Sequence, residues 1–282
     1  MYDKGMVFVM SGTLYVTGTP IGNLSDFSPR AVETLKSVDF IAAEDTRVTL
    51  KLLNHFDIKK PMVSYHEHNL RERGEIIIER ILLGENCAVV SDAGMPCVSD
   101  PGEDLVRLAA EKGVKTVVIP GPSAAVSALC ISGLTTSRFS FEGFLSTNKR
   151  NRQLHLESLK YDTHTLIFYE APHKLLTTLR DMERVLGDRR ISIGRELTKI
   201  HEEVIRTTLR EAIAFYEEKT PKGEFVLVLE GAIPETEPQI SLEDAIEEAK
   251  QLVAEGERPT EAAKKISAQY GYKKSEIYNG LI

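Results

Sequence analysis

Along the first 135 residues, short and almost wholly apolar runs alternate with longer stretches whose apolar residues recur three and four apart. Leu14-Tyr15-Val16 is the first run, and the Gly-Pro loop "TGTPIGNLSD" follows it. Ser28-Pro29 then opens a helix, since Ser caps well and Pro suits the first helical position. Ala31, Val32, Leu35 and Val38 continue at helical spacing. "FIAA" predicts a strand ending in "EDTR", 46–56 a helix, "MVSY" a strand and 70–83 a helix. "CAVVSD" predicts a strand and 103–112 a helix closed by Gly113. "VKTVVIPG" is a further strand, followed by a helix over 122–131. Continuous apolar strands separated by helices predict a mostly parallel sheet covered on both faces.

A second block, 136–234, has a different rhythm. The strands "THTLIFYE", "RISIGREL", "EEVIRTT" and "GEFVLVLEG" follow one another with little helix between, which predicts a mixed sheet with antiparallel pairs. Helices are predicted over 149–159, 173–186 and 209–217. "PETEP" reads as a polar linker, and the last 45 or so residues as helices only. The expected division is 1–135, 136–234 and 239–282: two α/β domains and a small helical tail.

Composition changes this picture little. Of 282 residues, 42% are apolar and 27% charged, an ordinary mix for a soluble globular protein. No apolar run approaches the ~20 residues of a membrane-spanning helix, and "MYDKGMVFVMSG" is too short in its apolar part for a secretory leader. Cys87, Cys97 and Cys130 form neither a disulfide framework nor a Cys-x-x-Cys metal site, and fit buried thiols in a reducing cytoplasm. A net charge of −7 argues against broad nucleic-acid binding and leaves room for local basic patches.

Ligands of open α/β sheets sit beyond the carboxyl ends of the strands. Three loops of the first block fall there: "TGTPIGN", "SDAGMP" and "PGPSAAVSA". Their small residues let backbone groups approach a ligand closely. Ser123 stands at a helix N-terminus able to hold an acceptor such as a carboxylate, and Asp92 suits an amino group or a ribose hydroxyl. Plain turns and caps are the alternative. Gly-x-Gly-x-x-Gly, a Walker loop and His-Glu-x-x-His are all absent. His66 and His68 lack a third partner for a metal, so no metal is expected.

In order along the chain stand "LYVTGTPIGNLSDFSPRA", "IAAEDTR", "SDAGMPCVSDPG", "IPGPSAAVSAL", "FYEAPHK" and "GRELTKIHEE". Together they resemble a family of small-subunit ribosomal RNA methyltransferases within the tetrapyrrole-methylase superfamily, the class III S-adenosylmethionine-dependent methyltransferases. The resemblance covers about 13–231, and the tail resembles the small helical tail of that family. It implies two α/β domains with the methyl donor, S-adenosyl-L-methionine, in the cleft between them, usually as a homodimer. It implies 2′-O-methylation of a cytidine in the decoding region of 16S RNA, on naked RNA or the 30S particle, in the cytoplasm. By resemblance, the donor meets Pro20, Ala93, Gly94, Pro96, Ser123, Ala124, Tyr169, Leu197, Gly223 and Glu224, with Asp92 or a neighbouring backbone group making one further contact.

A ribose hydroxyl benefits from a proton acceptor. Glu44, Asp45 and Arg47 in "EDTR", Glu170 and His173 in "YEAPHK", and Glu196 and Lys199 in "GRELTK" are the candidates, with the base unassigned. Each could instead be a salt-bridge partner, Asp45 with Arg47 or Glu196 with Arg195. A lysine base would need a depressed pKa. For RNA, Lys149, Arg150 and Arg152 are expected at a mobile loop or helix start. The segment 258–282 holds five basic residues against two acidic ones, among them Lys273 and Lys274. It has a helix-turn-helix rhythm, and its Tyr270, Tyr272 and Tyr278 could stack on bases or simply pack. A tetrapyrrole methylase would use the same fold and donor. A nonenzymatic nucleic-acid-binding module would leave the three loops unexplained.

Overall fold

The computed structural model describes residues 11–233 and 240–282. The opening segment up to residue 10 and the linker "PETEP" lie outside them. The chain forms two compact units, one up to Ala232 and the other from Ile233 to Ile282.

The larger unit holds two five-stranded sheets. In the first, β1 (Thr13–Thr17), β2 (Phe40–Ala43), β3 (Met62–Ser64), β4 (Cys87–Val90) and β5 (Lys115–Ile119) are all parallel, in the order β3-β2-β4-β1-β5. Every residue of β2 and β4 is buried, which is why they read as unbroken apolar runs. Helices α1 (Pro29–Ser37) and α2 (Thr46–His55) pack on one face through Ala31, Leu35 and Leu53. Helices α3 (Leu70–Leu82) and α4 (Glu103–Glu111) cover the other through Ile77, Ile78, Ile81, Leu105 and Ala109. Adjacent strands β1 and β4 therefore feed helices on opposite faces. That divergence opens a crevice beyond their carboxyl ends.

The second sheet is mixed, as its sequence rhythm predicts. Its order is β6-β7-β10-β8-β9, for β6 (Phe139–Phe144), β7 (Thr165–Glu170), β8 (Arg190–Arg195), β9 (Glu203–Thr208) and β10 (Phe225–Leu229). Only β6 and β7 run parallel; the other pairs are antiparallel. Strand β6 is absent from the sequence reading. Its register slips between Phe141 and Gly143 and only Gly143 of its six residues is buried, so it offers no clean apolar run. Helices α6 (Lys149–Ser158), α7 (Leu175–Leu186) and α8 (Leu209–Glu218) cover one face.

The opposite face is covered from the first block. Helix α5 (Ala124–Ile131) leaves β5 and buries Ala125, Ala128 and Leu129 against Ile167, Val226, Val228 and Leu197 of the second sheet region. The boundary expected near residue 135 thus follows a helix already packed on the second sheet.

The smaller unit is all helix. Helices α9 (Leu242–Ala254), α10 (Pro259–Tyr270) and α11 (Lys274–Asn279) share a core of Ala245, Ala249, Ala263, Ile266 and Ile277. Gly271 closes α10 in the left-handed conformation, at φ +75°. The Tyr270 hydroxyl donates to Glu248 and the Tyr272 hydroxyl to the Ile240 carbonyl. Both rings and that of Tyr278 pack, half-buried, against this core.

Candidate active site

The loops after β1 and β4 are stitched together. Thr19 and Gly94 exchange two backbone hydrogen bonds, at 2.8 and 3.1 Å. Gly94 sits at φ +81°, and a Cβ there would lie 3.3 Å from Ile21 Cγ2 and 3.5 Å from the Pro122 carbonyl oxygen. The third loop closes directly on the first, with the Met95 side chain at their seam. A Cβ on Gly18 would come within 2.7 Å of the Gly121 Cα, and the Gly121 N–H points to Met95 Sδ at 3.2 Å. The three sequence-predicted loops thus form one backbone-lined cradle, with Ile21, Gly121, Pro122, Ser127 and Thr198 around a cavity of about 470 Å³.

The second sheet contributes to the same place. Ser123 caps α5, accepting from the Val126 N–H, while the Ala125 N–H donates to the Tyr169 hydroxyl at 3.2 Å. Leu197 and Tyr169 pack in the apolar cluster of α5, with Ala124 at its edge. A Cβ on Gly22 would lie 2.5 Å from Lys199 Cγ and 3.0 Å from Thr198 Oγ1, so "TGTPIGN" also meets "ELTK". Pro96 is buried, whereas Ala93 and Asp92 are exposed.

Several candidates take roles other than the expected one. Asp45 caps α2 and pairs with Arg47 at 2.6 Å, the salt-bridge alternative. Hydrogen bonds from the Arg47 side chain, then its backbone, hold the Asp45 pKa down to about 2. Glu170 is buried, accepting from the Ala171 N–H at 2.8 Å and from the Thr178 hydroxyl, so it braces β7 against α7. Glu196 pairs with Lys199 rather than Arg195, which turns to Glu203. Lys199 Nζ lies 2.9 Å from both Glu196 and Glu224, and the Glu224 N–H also donates to Glu196 beside Gly223. Burial pulls the Lys199 pKa down, but the bonds to Glu224 and Glu196 outweigh it and the net shift is upward. Lys199 is therefore held as an ammonium between two carboxylates, whereas a lysine base would need the opposite shift.

Arg152 is the clearest departure. Its side chain is drawn inward, with Nε 2.7 Å from Asp181 and Nη1 donating to the Ser146 and Thr147 carbonyls. Lys149 and Arg150 are exposed at the start of α6, capped by Asn148. His173 lies in a separate cavity beside Arg152. Lys273 and Lys274 are exposed on the helical unit.

Two groups at the crevice escape the sequence reading. Asp100, at the end of the β4 loop, lines a cavity of about 530 Å³ with Glu44, His66 and His68. Burial first, then the charges of Glu44 and Asp92, push its pKa up to about 6. Burial also raises Glu44 and Asp92, whose carboxylates interlock: Asp92 N–H donates to Glu44, and Asp45 N–H to Asp92. Thr198 is the other. It is β-branched, sits at φ +65°, and its buried hydroxyl has no hydrogen-bond partner among the described residues. Of the five non-glycine residues at positive φ among the described residues, Cys97, Ser99, Glu196 and Thr198 all lie on the two loops at the crevice. Such costs persist where the surroundings over-determine a geometry, and they cluster at functional sites. Among the described residues, no group of three or more His, Cys, Asp or Glu side chains is placed to hold a metal ion.

A family model described as Tetrapyrrole (Corrin/Porphyrin) Methylases matches residues 13–213. A protein of Synechocystis sp. named ribosomal RNA small subunit methyltransferase I is 49% identical over 95% of this chain and 96% of its own length. The chain belongs to that methyltransferase family. A Thermotoga maritima relative of the same name is 48% identical, over 78% of this chain and 99% of its own length. Among solved structures, a diphthine synthase superposes with a TM-score of 0.58 at 17% identity, covering 78% of this chain and 90% of that one. That likeness shows the two-sheet fold alone. Among the described residues no helix is long and apolar enough to cross a membrane.

Proposed function

We propose that the chain transfers a methyl group from S-adenosyl-L-methionine to the ribose 2′-hydroxyl of a cytidine in the decoding region of small-subunit ribosomal RNA. The observation that carries the reading is the joining of three glycine-rich loops into one cradle at the crevice, in a chain whose relatives bear the name ribosomal RNA small subunit methyltransferase I. The cradle fits the donor. Gly18, Gly94 and Gly121 carry no Cβ to obstruct the seam where the loops meet, and Thr198 offers a hydroxyl unpartnered among the described residues. The crowded carboxyls of Glu44, Asp92 and Asp100 complement a cation, whose charge would relieve their repulsion.

Bound there, S-adenosyl-L-methionine supplies a methyl group already activated by its positive sulfur. The chain's own part is alignment and proton handling. Holding hydroxyl and methyl in line can be worth ~7–11 kcal/mol. Asp100, which lines the crevice cavity beside Glu44 and whose pKa is pushed up to about 6 chiefly by burial, is the group we assign to accept the hydroxyl proton. Such a base contributes ~10²–10⁴-fold. This chemistry asks for no metal. Action as a homodimer in the cytoplasm, with the larger unit working as two domains divided near residue 135, belongs to the same reading.

The test supplies labelled donor with naked RNA, with assembled small subunits and with a tetrapyrrole, then maps the label. Label on a cytidine ribose is expected. Label on a base, or on the tetrapyrrole alone, would replace this reading with another.

A further inference from the structure

The acidic crevice that suits a cationic donor repels an RNA backbone, so phosphates must be met elsewhere. Between the end of β6 and the start of α7 lies a cavity of about 260 Å³. Ser146, Thr147, Arg152, His173, Lys174 and Thr177 line it. We propose that this cavity binds a backbone phosphate of single-stranded RNA next to the reacting nucleotide. The proposal rests on the RNA-methyltransferase reading and names how that substrate is held.

Three independent features converge there. Arg152 is only 9% exposed, with Nε and Nη1 committed to Asp181, Ser146 and Thr147; Nη2 has no partner among the described residues. Helix α7 starts at the cavity with no side-chain cap; the Lys174 and Leu175 N–H groups turn back to the Ala171 carbonyl, while those of Leu176 and Thr177 have no partner among the described residues. Free amides at a helix start, a cation and hydroxyls together make an anion site. The nearby carboxylates are already engaged: Asp181 by Arg152 and Arg184, and Glu170 by Thr178 and the Ala171 N–H.

The cavity is also tied to the crevice. Tyr169, which meets α5 at the cradle, is four residues before His173, a reach of at most ~14 Å even fully extended. Between them, on β6, Phe144 is 56% exposed with its ring 5.5 Å from that of Tyr169. An exposed ring beside a phosphate pocket suits an unstacked base, the way single-stranded RNA is read. A folded duplex would bring no free base to that ring.

The experiment measures binding of a labelled single-stranded RNA oligonucleotide across a potassium chloride series. The full-length parent is compared with Lys174→Gln/Thr177→Val, Lys174→Arg and Phe144→Ala, and donor affinity is measured by calorimetry on each. We expect the double variant to bind more weakly, with a salt slope shallower by about 0.7 for the lost phosphate contact. Lys174→Arg should keep the parent's slope. Phe144→Ala should weaken binding at least about fivefold, the low end for lost stacking, with the slope kept. Donor affinity should stay at the parent's value throughout. A double variant with the parent's RNA affinity and slope, or a parent that binds no RNA, overturns the pocket. A parent whose RNA binding responds as expected but which methylates no ribose supports the pocket and overturns the methyl-transfer reading instead.

Discussion

Arg152 shows how far a residue's type can mislead about its role. In sequence it belongs to a basic tripeptide-like run with Lys149 and Arg150; in the fold only those two face solvent, while Arg152 turns into an ion pair with Asp181. Breaking one partner of a buried pair costs roughly 3–5 kcal/mol, so charge reversal at Arg152 would report unfolding rather than RNA contact. The informative variant is Lys149→Glu/Arg150→Glu. It should leave the melting temperature within about a degree or two, since exposed substitutions fall within roughly ±0.5 kcal/mol, while weakening RNA binding in a salt-dependent way. Asp100 is the reverse case, plain in sequence and unusual in place. Its folded pKa, about 6, lies above the ordinary carboxyl value of 3.8, so burial favours its protonated form. The stability this gives is complete below pH ~4 and lost as pH rises through 6. Asp100→Asn should therefore raise the melting temperature at pH 7.5, with the gain vanishing near pH 4. If Asp100 is the proton acceptor, the same change should cost ~10²–10⁴ in methyl transfer and remove the rise in rate across pH 6. A pH–rate profile beside a pH–melting series checks both.

At the scale of elements, much was legible. Unbroken apolar runs and helical periodicity located every strand of the first sheet, and the glycine-rich loops were found because their residues announce close backbone approach. Strand β6 was not, since its bulge and half-exposed face erase the alternation on which a strand is recognised. Nor could the pattern say that "ELTK" would fold against Gly22, a contact between segments far apart in the chain. The charge state of Lys199 depends on just that folding, because Glu196 and Glu224 reach it from two different strand ends. The cradle itself yields a test. Gly94→Val places a β-branched residue at φ +81° against Ile21 and Pro122. We expect a loss of about 1–3 kcal/mol from the strained backbone and a clear fall in donor affinity. Calorimetry in parallel with chemical denaturation separates the two, and unchanged donor binding would move the donor away from this loop.

For the whole molecule, the helical unit stands on a core of its own, and the Thermotoga maritima relative is matched along almost its full length while leaving about a fifth of this chain unmatched. A chain ending at Ala232 is therefore expected to fold and bind donor like the parent, with any loss confined to RNA affinity, as thermal melting and calorimetry can check. The two sheets are not separable in that way. Helix α5 is capped by Ser123 in the cradle and buries Ala125, Ala128 and Leu129 on the second sheet, so one eight-residue element belongs to both. Recombination between relatives meets this directly. A chimera joined near residue 135 would seat one parent's α5 on the other parent's Ile167, Val226 and Val228, and a join before Ser123 would split the cradle instead. Either half can be inherited intact only if the helix and the surface beneath it are exchanged together, although they lie far apart in the gene.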